Sequence, residues 1–168
     1  RSGHGDDFRL CDYFDLIGGT STGSIIAAGL AIGMSVDELD ALYRKLGEDI
    51  FQDDILRWGI LRPKFSAKPL RKALKASFGD LQLGDEAIRT GLAIMLKRLD
   101  TGSPWIVHNN PRGRYFSRRE GSKGVANSEY LLREIVRAST AAPHYFEPEV
   151  LTVAEDDRGN KVRGAFVD

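Results

Sequence analysis

The chain has 168 residues, 42% of them hydrophobic and 29% charged, a composition typical of one globular domain with its own core. Its 24 basic and 24 acidic residues give a formal net charge of zero, which argues against a nucleic-acid-binding protein. The single cysteine, Cys11, excludes an internal disulfide framework and a cysteine-based zinc site, and it is expected to be buried. No apolar stretch reaches the roughly 20 residues that span a bilayer, so a cytoplasmic or peripheral-membrane protein is favoured over an integral one.

The first predicted strand runs directly into a tight turn and a helix. An apolar run over 13–18 precedes the pentapeptide Gly-Thr-Ser-Thr-Gly at 19–23, and a stretch of small and apolar residues over 24–31 follows it. Strand, turn and helix in this order are the context of a G-x-S-x-G nucleophile elbow. The pattern makes Ser21 the candidate catalytic nucleophile, and the alternative interpretation is a glycine-rich turn with an incidental serine.

Each position of this pentapeptide has a physical reason. We expect Gly19 and Gly23 to remove side chains that would clash with the strained backbone around Ser21. Thr20 and Thr22 flank the serine, and the N–H groups at the start of the helix point toward the reacting oxygen. The N–H of Thr22 is therefore the predicted oxyanion donor.

Two further helices are predicted downstream. Gly33 ends the first helix, and a capping box at 35–38 begins the next, which Gly47 is expected to end. Another helix is predicted over 66–78. Between these two helices, the apolar residues over 50–63 lack a clear period and are interpreted as a core-covering segment or as a mobile apolar flap near the site.

A hairpin and a basic loop occupy the middle of the chain. A strand over 92–99, a turn over 100–103 and a returning strand over 104–108 form the predicted hairpin. The loop over 109–123 carries several basic residues around two aromatic ones. It is interpreted as a solvated loop or as a contact for anionic lipid headgroups.

The last part of the chain predicts a helix over 128–139 and a second hairpin, with strands over 150–154 and 161–167. Alternating helices and strands favour an α/β or three-layer architecture with a mostly parallel sheet. In such a sheet the nucleophile lies outside the carboxyl end of a central strand.

A serine nucleophile needs a proton acceptor within hydrogen-bond reach. Of the histidines, His4 precedes the turn, His108 ends a strand, and His144 follows an Ala-Pro pair and is the strongest histidine candidate. Asp168 follows a short apolar strand and so stands at a strand end, although a turn or cap residue is its alternative interpretation. The residues alone leave His144 and Asp168 as competing bases.

Three segments together resemble the patatin-like phospholipases. Residues 12–23 resemble that family's nucleophile segment, residues 137–146 its segment with an Ala-Pro pair and aromatic residues, and residues 166–168 the start of its Asp-Gly-Gly or Asp-Gly-Ala motif. The resemblance implies a Ser-Asp dyad that hydrolyses lipid acyl esters with no histidine, no metal and no other cofactor. Applied to the matching positions of this sequence, the resemblance makes Ser21 the nucleophile and Asp168 the base.

The same resemblance implies one acyl hydrolase domain over 1–168, with a three-layer α/β/α fold. The family's glycine-rich oxyanion loop, expected upstream of Ser21, is not found here, and the glycine expected after Asp168 lies beyond the last residue. Both departures are interpreted as truncation, so the domain is expected to be incomplete. The expected partners are a phospholipid or other acyl lipid and, through the basic loop, a membrane surface.

Other residues are assigned supporting roles. We hypothesise that Ser139, Ala141 and Pro143 lie near Ser21 as structural supports. Two other functions stay open, a catalytically silent lipid-binding module and a Ser-His esterase that uses His144. The candidates for lining an acyl-chain trough are Phe51, Trp58, Ile60, Tyr145 and Phe146, and the alternative interpretation is that they belong to the core.

Overall fold

The computed structural model describes residues 8–52 and 66–168. His4, Trp58 and Ile60 lie outside the described residues, as does the side chain of Phe51. In chain order the helices and strands are β1 (Leu16–Thr20), α1 (Thr22–Ala31), α2 (Val36–Gln52), α3 (Ala67–Phe78), β2 (Gly91–Arg98), β3 (Pro104–His108), α4 (Leu132–Ser139), β4 (Glu149–Glu155) and β5 (Lys161–Val167).

The five strands form one mixed sheet. Strand β1 pairs with β2 in parallel, whereas β3 and β5 pair with β2, and β4 with β5, in the antiparallel direction. The two predicted hairpins explain this mixture, because the short connections over 99–103 and 156–160 reverse the chain direction. Parallel pairing is expected for most of the sheet. Among the described strands, β1 and β2 pair in parallel and the other pairs are antiparallel.

Strands β1 and β5 share one edge of β2. Strand β3 pairs with residues 93–97 of β2 and occupies one edge of it. Thr20 of β1 pairs with Met95, and Val167 of β5 pairs with Lys97. Because Met95 and Lys97 both also pair with β3, β1 and β5 must both lie on the opposite edge. Their carboxyl ends therefore approach each other along β2.

The four helices form a layer against one face of the sheet. Each helix contacts the next along the chain, and α1 and α4 contact β2. Along β2, Leu92, Ile94 and Leu96 are buried toward this layer, whereas Met95 and Lys97 on the other face are exposed. The α/β class is thus confirmed. The second helical layer of the expected three-layer architecture does not occur in the part of the chain that the structure describes.

Local signals set most of the helix boundaries. Gly33, with a φ of 89°, follows α1, and Ser35 and Glu38 form the predicted capping box, in which the Glu38 N–H donates to Ser35 Oγ at 3.2 Å. The expectation that Gly47 ends α2 is wrong, because the helix continues to Gln52. A glycine inside a helix costs only roughly 1 kcal/mol relative to alanine, which the neighbouring helical residues offset.

The helix predicted over 128–139 begins later than expected. A 3-10 turn at Asn127–Glu129 and two extended residues precede α4, which ends at its predicted position. Backbone hydrogen bonds of 2.8 and 2.9 Å tie Leu132 and Tyr130 to the segment 81–83. These long-range bonds hold the residues before α4 extended and so delay the start of the helix.

Two expectations from composition concern the single cysteine and the absence of a long apolar stretch. Cys11 is buried, as expected, and burial raises the pKa of its thiol. Among the described helices, none combines the length and the apolar character needed to cross a bilayer.

Candidate active site

The turn at 19–23 brings β1 against the first turn of α1. A Cβ atom added to Gly19 would lie 2.3 Å from the Gly23 carbonyl oxygen and 2.9 Å from Ser24 Cα, so no side chain fits at position 19. The same expectation for Gly23 is wrong. No heavy atom lies within 4 Å of a Cβ added there, because that position faces open space.

Ser21 has a backbone conformation that residues with side chains rarely adopt. Its φ is 53° and its ψ is −136°, and it lies directly between β1 and α1. Such a conformation costs on the order of 1–3 kcal/mol and persists only where the surroundings fix it. The predicted strand, turn and helix are therefore present, with the strain centred on the candidate nucleophile.

Ser139 links the turn to the central strand. Its buried hydroxyl accepts a hydrogen bond from the Ser21 N–H at 3.0 Å and donates one to the Met95 carbonyl at 2.6 Å. The hydroxyl thus uses both its acceptor and its donor capacity within the protein. This geometry agrees with the expectation that Ser139 supports Ser21 through contacts with the backbone.

Two further hydroxyl groups hold the helix side of the turn. Ser24, which is fully buried, donates its Oγ–H to the Ser21 carbonyl at 2.6 Å, and Tyr43 of α2 donates its hydroxyl to the Thr22 carbonyl. Burial raises the pKa of Tyr43, so its hydroxyl stays protonated and remains a donor at neutral pH. The Thr22 N–H lies in the first turn of α1, where N–H groups have no acceptor within the helix.

Asp168 reaches the same point of the sheet from the other direction. It follows Val167, which pairs with Lys97, while Ser21 follows Thr20, which pairs with Met95. The register therefore brings Ser21 and Asp168 together at the gap on the edge of β2. The Asp168 side chain is exposed to solvent.

The end of α4 and the segment after it contact the two candidate residues. The Asp168 N–H donates to the Ala141 carbonyl at 3.2 Å, and Ala141 lies two residues beyond Ser139, which binds Ser21. Ala141 is fully buried, whereas Pro143 is exposed. Ser139 thus contacts Ser21 as expected, Ala141 contacts the Asp168 backbone, and Pro143 does not pack into the core.

Arg137 anchors this segment from inside the protein. Its side chain is 2% exposed, donates to the Glu147 carbonyl at 2.9 Å and lies 3.7 Å from a carboxylate oxygen of Glu149. Its guanidinium also lies over the ring of Phe146, 5.3 Å from the centroid. Burial lowers the pKa of Arg137 while Glu149 opposes that shift. Phe146, a trough candidate, packs against the core, and Tyr145 is exposed.

The described histidines differ in their environments. His108 lies on β3, on the edge of β2 opposite to β1, and its Nδ1 accepts a hydrogen bond from the Asn110 N–H at 3.2 Å. This contact gives His108 a structural role. His144 is exposed and has a φ of 69°, in the turn that follows Ala141.

Sequence reasoning missed three contributors to this site. Ser24 could have been found, because it stands three residues after Ser21 in the first helical turn, where a hydroxyl can reach back to a carbonyl. Tyr43 lies within the predicted second helix, and Arg137 lies within the resembling segment over 137–146. Their contacts with Thr22 and Glu147 depend on how helices and loops pack, which no local signal specifies.

Comparison with known proteins identifies the family. The model of the patatin-like phospholipase family matches residues 4–168. A cGAMP-activated phospholipase of Escherichia coli (strain TW11681) is 32% identical over 149 residues, which cover 84% of this chain and 38% of that protein.

Plant and animal proteins match the same region. Patatin-17 of Solanum cardiophyllum is 28% identical over 172 residues, covering 96% of this chain and 40% of that protein. Calcium-independent phospholipase A2-gamma of Oryctolagus cuniculus is 29% identical over 147 residues, covering 79% of this chain and 18% of that protein. The chain thus spans two fifths or less of the length of these relatives.

Proposed function

The chain belongs to the patatin-like phospholipase family, and from this premise we propose that it carries the catalytic pair of a serine hydrolase that cleaves lipid acyl esters. In this proposal Ser21 is the nucleophile, Asp168 is the base, and the Thr22 N–H is an oxyanion donor. The observation that carries the proposal is the shared edge of β2, where Thr20 and Val167 pair two residues apart.

The first half of the reaction forms an acyl-enzyme. Asp168 accepts the Oγ proton of Ser21 as that oxygen attacks the ester carbonyl carbon. The Thr22 N–H donates to the oxyanion that develops, and the positive end of the α1 dipole favours the same charge. The tetrahedral intermediate then breaks its bond to the leaving oxygen, which takes the proton from Asp168 and departs as an alcohol or lysolipid.

The second half releases the fatty acid. Asp168 accepts a proton from water as the water oxygen attacks the acyl carbon, and the oxyanion again receives the hydrogen bond of Thr22. The bond to Ser21 Oγ breaks, Oγ recovers the proton from Asp168, and the carboxylic acid leaves. Atoms and protons balance over the cycle with no cofactor, and the reaction is of the phospholipase A or lysophospholipase type.

The strained turn supports this assignment. Ser21 is held at a φ of 53° between β1 and α1, and the Ser139, Ser24 and Tyr43 hydroxyls fix the backbone around it. Catalysis by an oriented hydroxyl depends on such positioning before the substrate arrives.

Product analysis of the full-length protein tests the reaction. Incubation with phosphatidylcholine vesicles should release free fatty acid and lysolipid, while Ser21→Ala and Asp168→Asn should each lower the rate at least about 10³-fold. Asp37→Asn, which removes an exposed carboxylate from α2, is the matched control and should leave the rate unchanged.

Other outcomes would identify a different function. Vesicle binding with no product, unchanged by Ser21→Ala, would indicate a silent lipid-binding module. Hydrolysis that survives Asp168→Asn and is lost with His144→Asn would indicate a Ser-His esterase.

A further inference from the structure

A basic cleft lies beyond the carboxyl end of β2, apart from the turn that holds Ser21. It has a volume of about 490 Å³ and lies between the β2–β3 connection and the loop that precedes α4, with Val153 of β4 at its side. None of its lining residues belongs to the segments 19–23 or 139–141. The cleft is therefore a separate feature from the proposed catalytic site.

The charged side chains that line the cleft are all positive. Four arginines line it and no acidic side chain does. The lining arginines are Arg98, Arg114, Arg118 and Arg119. Their guanidinium groups present planar sets of N–H donors, which match the geometry of phosphate and carboxylate oxygens.

Two of the four arginines are held in place by carboxylates. Arg98 donates two hydrogen bonds of 2.7 Å to Asp100, and Arg118 donates two, of 2.6 and 2.7 Å, to Glu129. Each bidentate pair fixes the orientation of a guanidinium group and neutralises much of its charge. These two arginines shape the wall of the cleft.

The other two arginines keep their charge uncompensated. Within residues 8–52 and 66–168, neither Arg114 nor Arg119 forms an ion pair, and Arg114 lies over the ring of Tyr115 at 5.4 Å from the centroid. Both side chains are available to an anion that enters the cleft.

A buried donor points to the same class of ligand. Asn127 lines the cleft, is 3% exposed, and its Nδ2 has no hydrogen-bond partner among the described residues. A buried N–H group without an acceptor costs about 1–3 kcal/mol. Because this Nδ2 atom is buried in the wall, a ligand oxygen in the cleft reaches it only after the Asn127 side chain turns toward the cleft.

The walls of the cleft are tied to the rest of the fold. The Asn127 N–H donates to the Tyr115 carbonyl at 2.8 Å, and the Val125 N–H donates to the Val153 carbonyl at 3.0 Å. The Glu155 N–H likewise donates to the carbonyl of Lys123 at 2.8 Å. These bonds hold the loop against β4, so the arrangement exists before any ligand binds.

We propose that this cleft binds a phosphate group, with Arg114 and Arg119 neutralising its charge and the Asn127 amide turning toward the cleft to donate to one of its oxygens. The phosphate belongs either to a soluble metabolite or to the headgroup of an anionic lipid. The cleft shares no lining residue with the proposed catalytic site, so its binding can be measured separately from turnover.

Binding to the full-length protein tests the site in two arms. The soluble arm titrates inorganic pyrophosphate by calorimetry, and the membrane arm measures sedimentation with phosphatidylcholine vesicles that contain or lack phosphatidylglycerol. The test variant is Arg114→Gln with Arg119→Gln. Arg158→Gln, an exposed arginine at the β4–β5 turn, is the control for loss of charge outside the cleft.

We expect the double variant to weaken binding at least about tenfold, as the loss of charge-assisted hydrogen bonds implies, and Arg158→Gln to leave it unchanged. Loss in the pyrophosphate arm identifies a soluble ligand, and loss only with phosphatidylglycerol vesicles identifies a lipid headgroup. The proposal is overturned if the wild-type protein binds neither probe, or if Arg158→Gln weakens binding as much as the double variant does.

Discussion

Thr20 and Val167 pair with residues of β2 only two positions apart, on the same edge of that strand. Two residues of a strand span roughly 6.6 Å. Because β1 and β5 approach this gap from opposite directions, the residue that follows each strand reaches it. Those two residues are Ser21 and Asp168, which are far apart in the sequence.

The close approach of Gly19 to α1 predicts a large effect of a single methyl group. Gly19→Ala places a Cβ atom 2.3 Å from the Gly23 carbonyl oxygen, and because backbone must move to relieve that contact, we expect a loss of about 1–3 kcal/mol of unfolding free energy. Urea denaturation of the full-length protein measures it. Gly23→Ala adds the same methyl group to open space within α1, so it should keep the stability or raise it by up to about 1 kcal/mol. Equal effects of the two variants would contradict this account of the turn.

The hydrogen bonds of Ser139 predict a positioning role. Ser139→Ala leaves the Ser21 N–H without its acceptor and the Met95 carbonyl without its close donor, so we expect a loss of about 1–3 kcal/mol of stability. The variant should remain folded, and Ser21 should react with a fluorophosphonate about tenfold more slowly because its backbone is less well held.

A neighbouring hydroxyl provides the control for Ser139. Thr140→Val removes a buried hydroxyl whose hydrogen bond, among the described residues, goes to the Arg137 carbonyl of α4, and it should leave the reactivity of Ser21 unchanged. An unchanged rate in Ser139→Ala, or complete loss of reaction in a folded protein, would contradict a positioning role.

Burial of Tyr43 predicts a pH dependence of stability. Because the folded protein raises the pKa of this hydroxyl, the neutral form stabilises the fold below the unfolded pKa of about 10, and that contribution is lost as the pH rises through the folded value. Unfolding free energies of the wild type and Tyr43→Phe, measured from about pH 8 to 11, should show a smaller decline in the variant. At neutral pH the variant should lose about 0.5–1.5 kcal/mol with the hydrogen bond to Thr22. An equal decline of the unfolding free energy with pH in both proteins would contradict this prediction, because it would mean that folding does not raise the pKa of Tyr43.

The features that could be predicted from the sequence depend on neighbouring residues. The turn around Ser21 follows from a strand, small residues and a helix in immediate succession, and the capping box at Ser35 needs only Glu38 three residues later. The two hairpins follow from their short polar turns. In each case the physical cause lies within a few positions of its effect.

The features that could not be predicted depend on distant partners. Nothing near β5 indicates that it continues the edge of β2 where β1 stops. The delayed start of α4 results from hydrogen bonds to residues 81–83, and the continuation of α2 past Gly47 shows that one glycine does not end a helix that is otherwise favourable. Position 168 alone likewise gives no indication that its N–H binds Ala141.

The central claim is that Ser21 is a nucleophile activated by Asp168. The most direct measurement is to treat the full-length protein with a fluorophosphonate and to locate the adduct by mass spectrometry, in the wild type and in Ser21→Ala, Asp168→Asn and His144→Asn. We expect an adduct on Ser21 that is lost in the first two variants and kept in His144→Asn. An adduct that survives Asp168→Asn, or no adduct on the folded wild-type protein, would contradict it.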